Sequence, residues 1–300
     1  MKPTPEPLLP RPTATPRGAA KGELALVACA ILWSSAGLFI TLVDAHPLAI
    51  AGGRSVLALG VMVLFVRRPR FTFSPAQIGA GAANAATMLL FVAANKLTTS
   101  ANAILLQYAA PAYMAVLAVI VLKEPIRRRD AVALGVVIAG TVLFFHEKVG
   151  PGAMIGNVLA LLSGVTFALT LMFLRMQKDG SPAESLMIAH LITILISVFF
   201  WRGFQPTAVN IGGIAMLGIF QVGLAGVLLA YGIRHVHALA AVLIVTLEPV
   251  LNPVWVFLVT GEQPSPLSGV GGLVIIAAVV GLQVADARVR RSRSVEGRSR

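Results

Sequence analysis

Residues 245–262 read VTLEPVLNPVWVFLVTGE. They place the carboxylate of Glu248 near the middle of an otherwise apolar run from His237 to Thr260, together with two prolines, Pro249 and Pro253. Residues 107–124, QYAAPAYMAVLAVIVLKE, align with this stretch without a gap, setting Pro111 on Pro249 and Glu124 on Glu262 at an offset of 138. Lys96 falls on Arg234 at the same offset. Earlier in the chain the offset shrinks to 135, where HPLAIAGGRSVLALGVMVLFVRR from His46 matches SPAESLMIAHLITILISVFFWR from Ser181. Later, LGVVIAG (134–140) resembles GLVIIAA (272–278) more loosely. Self-similarity at a fixed offset is the mark of a repeated structural unit, here present twice.

The composition says where such a unit lives. Hydrophobic residues make up 57% of the 300, charged residues only 12%, and the mean hydropathy is +0.85, far from a soluble globular average. Stretches of about 20 apolar residues, long enough to cross roughly 30 Å of hydrocarbon, fill the chain. Ten are expected, over 24–42, 47–66, 76–94, 101–122, 130–145, 154–174, 183–200, 209–231, 237–260 and 267–285. The fold class is an all-α membrane protein of ten transmembrane helices. The repeat divides them five and five, and an odd number of spans per copy turns the second copy upside down in the bilayer.

Charge placement supports this independently. The net charge is +12, and 20 of the 24 lysines and arginines fall in the tails and alternate loops of one side. Only Lys96, Lys148 and Arg202 fall on the other, while Arg54 lies inside a span. That asymmetry is what the positive-inside rule produces and sets both termini in the cytoplasm. The loop KEPIRRRD of the first copy corresponds to GEQPSP of the second, which keeps the glutamate and loses every basic residue. The arginine-rich end RVRRSRSVEGRSR therefore answers a topological demand; it can touch anionic headgroups, and no nucleic-acid partner is expected.

The domain reading is a disordered cytoplasmic tail over 1–22, rich in proline, a five-helix repeat over 23–148, an inverted repeat over 149–285, and a basic cytoplasmic tail over 286–300. The first span is read as retained, being too long for a signal-peptide core. Cys29 is the single cysteine, so no intrachain disulfide or cysteine metal site is possible. No metal and no cofactor are called for.

Four features together resemble the drug/metabolite transporter superfamily, in its EamA-type ten-helix branch. They are Trp33 in the first span, Pro47 followed by Arg54 in the second, APAYMAVLAVIVLKE ending the fourth, and LEPVLNPVWVFLVTGE in the ninth. The resemblance covers residues 23–285. It implies two inverted repeats about a central cavity, with export of amino acids, other small metabolites or drugs from a bacterial cytoplasm across the inner membrane.

An ionisable group deep in a span is a functional-site hypothesis by default, which singles out Glu248 and Arg54. Neither belongs to the repeated scaffold: Glu248 aligns with Ala110, and Arg54 with Ala189 beside His190. Pro249 and Pro253 deprive the carbonyls of Val245 and Pro249 of their helical donors, and Pro111 does the same to Gln107. Helix breaks are expected at all three prolines. Spacing of four and seven residues puts Asn252 and Trp255 on the face of Glu248. Further candidates are Trp33, Asn84, Gln107, Tyr108, Gln221, Tyr231 and His190. Glu248 could hold a substrate ammonium or carry a coupling proton. The glycine pairs Gly79/Gly81, Gly212/Gly213 and Gly135/Gly140 are read as close helix packing.

No nucleophile elbow, zinc-protease motif or nucleotide-binding Walker sequence occurs, and the aspartates Asp44, Asp130, Asp179 and Asp286 all fall at span ends. The reading is a secondary transporter, monomer or weak dimer, exporting small metabolites, amino acids first among them, by alternating access. A drug or nucleotide/sugar-derivative carrier of the same fold is the alternative, ahead of a channel or a membrane-embedded enzyme.

Overall fold

The computed structural model describes residues 16–66, 69–122, 128–145, 152–177, 182–236 and 244–296. Among them the secondary structure is helical throughout. In chain order the helices are α1 (Pro16–Ser34), α2 (Ala36–Leu42), α3 (Pro47–Phe65), α4 (Pro75–Leu97), α5 (Ser100–Gln107), α6 (Ala110–Leu122), α7 (Arg128–Phe145), α8 (Ala153–Met176), α9 (Pro182–Ser197), α10 (Ala208–Ala215), α11 (Ala225–His235), α12 (Leu247–Thr260) and α13 (Pro266–Glu296). A π-helical segment, Met216–Leu224, joins α10 to α11. Among the described residues six of the resulting rods are long and apolar enough to cross a membrane: 20–42, 47–65, 75–97, 153–174, 182–200 and 208–229. Shorter apolar helices cover 131–143, 247–260 and 266–281, and the fourth expected span is divided between α5 and α6.

Local chemistry marks the ends. Prolines open α3 and α4, where the missing N–H costs nothing. Ser74, Thr99 and Thr207 cap α4, α5 and α10, each accepting from a backbone N–H three residues on, at 3.2, 3.2 and 3.1 Å. Two ends differ from expectation. Helix α1 begins at Pro16, inside the stretch read as tail, because proline suits a first helical position and residues 17–22 contain none. Helix α13 runs on to Glu296, past the expected end at 285, because its arginines are good helix formers with no proline to stop them.

The packing obeys the repeat. Helix α4 lies along α8, and its counterpart α11 lies along α1; α4 also meets α9, as the π segment meets α3. Helices α5 and α6 cover α8, as α12 covers α1 and α2. Helix α3 meets α9, and α7 meets α13, each element touching its own copy. Among the described residues these contacts recur when the halves are exchanged, as a two-fold relation between the repeats requires.

Hydrogen bonds between turns sort the ends. At one end Lys96 Nζ donates to Val43 O at 2.6 Å, Thr41 and Ser100 hydroxyls meet at 3.2 Å, and Ser100 N donates to Glu262 Oε1 at 3.1 Å. Asp44 N donates to Asn210 Oδ1 at 2.8 Å, and Thr98 Oγ1 to Asn157 Oδ1 at 2.7 Å. At the other end Arg70 N donates to Glu184 Oε1 at 2.9 Å. The turns that should share a membrane face by alternation of the spans are the ones joined.

Glycines set the closest approaches. A Cβ on Gly81 would lie 2.5 Å from Ile188 of α9, and one on Gly218 would lie 2.7 Å from the Arg54 carbonyl of α3. These are the swapped seams, and each glycine stands three residues before a buried amide, Asn84 or Gln221. Gly79 and Gly140 also abut neighbours, on Phe173 and on the Gly271 carbonyl, and Gly213 abuts Val43. Gly135 and Gly212 face open space, so their pairs each pack through one member only.

Candidate functional site

The fourth span breaks at Tyr108 and Ala109, between the end of α5 at Gln107 and the start of α6 at Ala110. Pro111 is the second residue of α6, where its lost donor is tolerable. In the ninth span α12 starts at Leu247, so Pro249 falls in its first turn; Pro253, where a break was expected, instead lies inside the continuous helix, which loses one backbone hydrogen bond there without ending. The two breaks face each other. The Tyr108 hydroxyl lies 2.8 Å from Glu248 Oε2 and 3.2 Å from Val245 O. Val245 O is the carbonyl that Pro249 leaves without a helical donor, so one phenol serves both the freed backbone and the intramembrane carboxylate. The Gln107 carbonyl, freed by Pro111, is met differently: Gly164 of α8 comes so near that a Cβ there would stand 3.1 Å away.

Around this pair the α12 side chains reach back to the first span. Trp255 Nε1 donates to Ser34 Oγ at 2.8 Å. Asn252 is completely buried, with neither amide atom partnered, and its side chain presses on Gly37, where any Cβ would collide with it. Cys29 of α1 stands near enough to Glu248 to interact with it electrostatically. Trp33, half-buried, lies between Leu32 and Ser34 on the same helix.

The remaining candidates divide. Arg54 is buried on α3, donating from Nη2 to Met88 O at 3.4 Å; no ion pair or hydrogen bond joins it to Glu248. His190 is buried on α9 and interacts electrostatically with Arg54. Asn84 is buried on α4 and Gln221 in the π segment. Gln107 is half-buried beside Tyr108. Tyr231 is not brought to this region: it is 41% exposed and stacks on His235, ring centroids 4.4 Å apart. Sequence reasoning missed Ser34, Gly37 and Gly218. Only Gly218 left a trace, as the Gly-x-x-amide spacing it shares with Gly81.

A helical bundle of two swapped repeats, with polar side chains gathered where broken helices from opposite repeats meet, is the build of a multi-pass membrane transporter. Residues 20–146 and 154–283 each match the EamA-like transporter family, and the chain belongs to it. It is a transporter rather than an enzyme. The chain is 23% identical over 265 residues to an uncharacterized transporter of Archaeoglobus fulgidus, covering 86% of this chain and 95% of that one. The crystal structure of another protein superposes with a TM-score of 0.60 at 18% identity, over 90% of this chain and 99% of the other; it shows a shared fold.

Proposed function

We propose that the chain is a secondary transporter exporting small metabolites, with amino acids first among them, across a bacterial inner membrane with both termini in the cytoplasm. The observation that carries the reading is the Tyr108–Glu248 hydrogen bond. It joins the broken fourth span of one repeat to the broken ninth span of the other, where relative rocking of the repeats would make and unmake it. A carboxylate held by a neutral hydroxyl keeps free acceptor capacity for a substrate ammonium or a proton.

The test is uptake of labelled amino acids, nucleosides and sugar derivatives into proteoliposomes, with and without an imposed pH gradient, by the wild type and Glu248→Gln. Saturable amino-acid uptake is expected, accelerated by the gradient. In Glu248→Gln it should fall on the order of ten- to a hundredfold, the equivalent of a charge-assisted hydrogen bond worth about 1.5–3 kcal/mol, while the protein remains monodisperse on gel filtration. Uptake of nucleosides or sugar derivatives alone would replace the solute class. Unchanged rates for every carried solute would make Glu248 structural.

A further inference from the structure

A second set of polar atoms lies in the helices away from Tyr108 and Glu248. Arg54 is 3% exposed, and its Nε has no partner. The one bond of its guanidinium, to the Met88 carbonyl, is long at 3.4 Å. His190, 1% exposed on the helix that packs on α3, leaves its Nδ1 unpartnered. Gln221, 8% exposed in the π segment that also packs on α3, leaves its Oε1 unpartnered. Helix α3 and two elements packed on it thus each bury a polar atom without a partner. Among the described residues no carboxylate pairs with Arg54.

A buried guanidinium lacking an anion is costly, and the scaffold does not require one, since the other repeat has alanine at the matching position. Burial without a protein counter-ion is explicable when the counter-ion arrives with the ligand. The guanidinium fork fits a planar carboxylate through two parallel N–H···O bonds, and an imidazole beside it adds a further donor or acceptor. The Met88 carbonyl, itself an acceptor, occupies only Nη2.

We infer that Arg54, with His190 beside it, forms an anion subsite separate from Glu248 that takes the carboxylate of the transported solute. The inference rests on the reading that the chain carries a small solute, and extends it: the solute is an organic acid or a zwitterion, with a carboxylate for Arg54.

Binding separates the two ideas. Thermal unfolding of the purified full chain in nonionic detergent, followed by tryptophan fluorescence, is to be measured with isovalerate, which has only the carboxylate, isoamylamine, which has only the amine, L-leucine, which has both, and phosphatidylglycerol. Isovalerate and leucine should raise the midpoint. The isovalerate shift should vanish in Arg54→Gln and shrink in Arg54→Lys and His190→Gln, so the test survives if Arg54→Gln does not fold. An equal isovalerate shift in these variants, or none in the wild type, would overturn the subsite. Stabilisation by phosphatidylglycerol and not by isovalerate would assign Arg54 to a lipid headgroup and overturn it too. Saturable liposome transport without an Arg54-dependent carboxylate shift would sink this inference and leave the transporter reading; an Arg54-dependent shift with no transport of any solute would leave a carboxylate site at Arg54 and sink both the transport reading and the assignment of that site to a transported solute.

Discussion

Glu248 and Arg54 are both charges set inside apolar spans, and both stand where the opposite repeat has alanine. The protein treats them differently. Glu248 receives a 2.8 Å hydrogen bond from Tyr108 of the other repeat, whereas Arg54 has one long bond to a backbone carbonyl and a bare Nε. The frame beneath them is alike: Gly81 and Gly218 close equivalent seams, each one turn before a buried amide. Symmetric packing has therefore been kept while the charges diverged. A scaffold charge would be expected in both copies or neither, and this divergence is the reason both positions are proposed for a ligand.

The frame can be broken first. Gly218→Val should destabilise the fold by about 1–3 kcal/mol, the usual cost of overpacking, because a Cβ there falls 2.6 Å from Leu57 and 2.7 Å from the Arg54 carbonyl. Gly81→Val should cost a similar amount at the swapped seam, and Gly212→Val little, since nothing stands within 4 Å. Thermal unfolding of the three variants decides it. Equal midpoints for Gly212→Val and Gly218→Val would mean that the π segment does not depend on close approach to α3.

A smaller effect is expected from the pair itself. Tyr108→Phe removes the donor to Glu248 and to Val245 O, leaving the carboxylate without its protein partner. Initial transport rates should drop about tenfold, for a hydrogen bond to a charged group worth roughly 1.5–3 kcal/mol of which part is regained from water. Because both side chains act through one bond, Tyr108→Phe combined with Glu248→Gln should be no slower than Glu248→Gln alone. Multiplying losses would show that Tyr108 serves transport by another route.

Much of the fold was legible in the sequence, because the traits that reveal it are local. Apolar length gives spans, proline at 111 and 249 marks breaks, and the shared Pro-to-Glu spacing gives the repeat. The site was legible only in part. Tyr108 and Glu248 were each visible as polar residues in spans, but their meeting is fixed by how α5 and α12 pack, 140 residues apart, and no spacing encodes it. The π segment was invisible, since MLGIFQVGL has an ordinary helical composition. Periodicity set Trp255 on the Glu248 face, but it could not name the partner, Ser34 of the other repeat.

Tyr231 stands apart from the Tyr108–Glu248 pair. Its position near the end of the eighth span and its hydroxyl made it a candidate, but α11 turns it outward, 41% exposed, with its ring against His235. Tyrosine with an apolar body and a polar tip belongs at a membrane–water boundary. Tyr231→Phe keeps the stack and removes only an exposed hydroxyl, so transport should change by less than about twofold, as surface substitutions shift energies by under ~0.5 kcal/mol. The same deletion at Tyr108 should cost several times more, although the two changes are chemically identical. A loss at Tyr231 matching that at Tyr108 would extend the solute path along α11 and dissolve the distinction between a site on the repeat seam and a boundary residue.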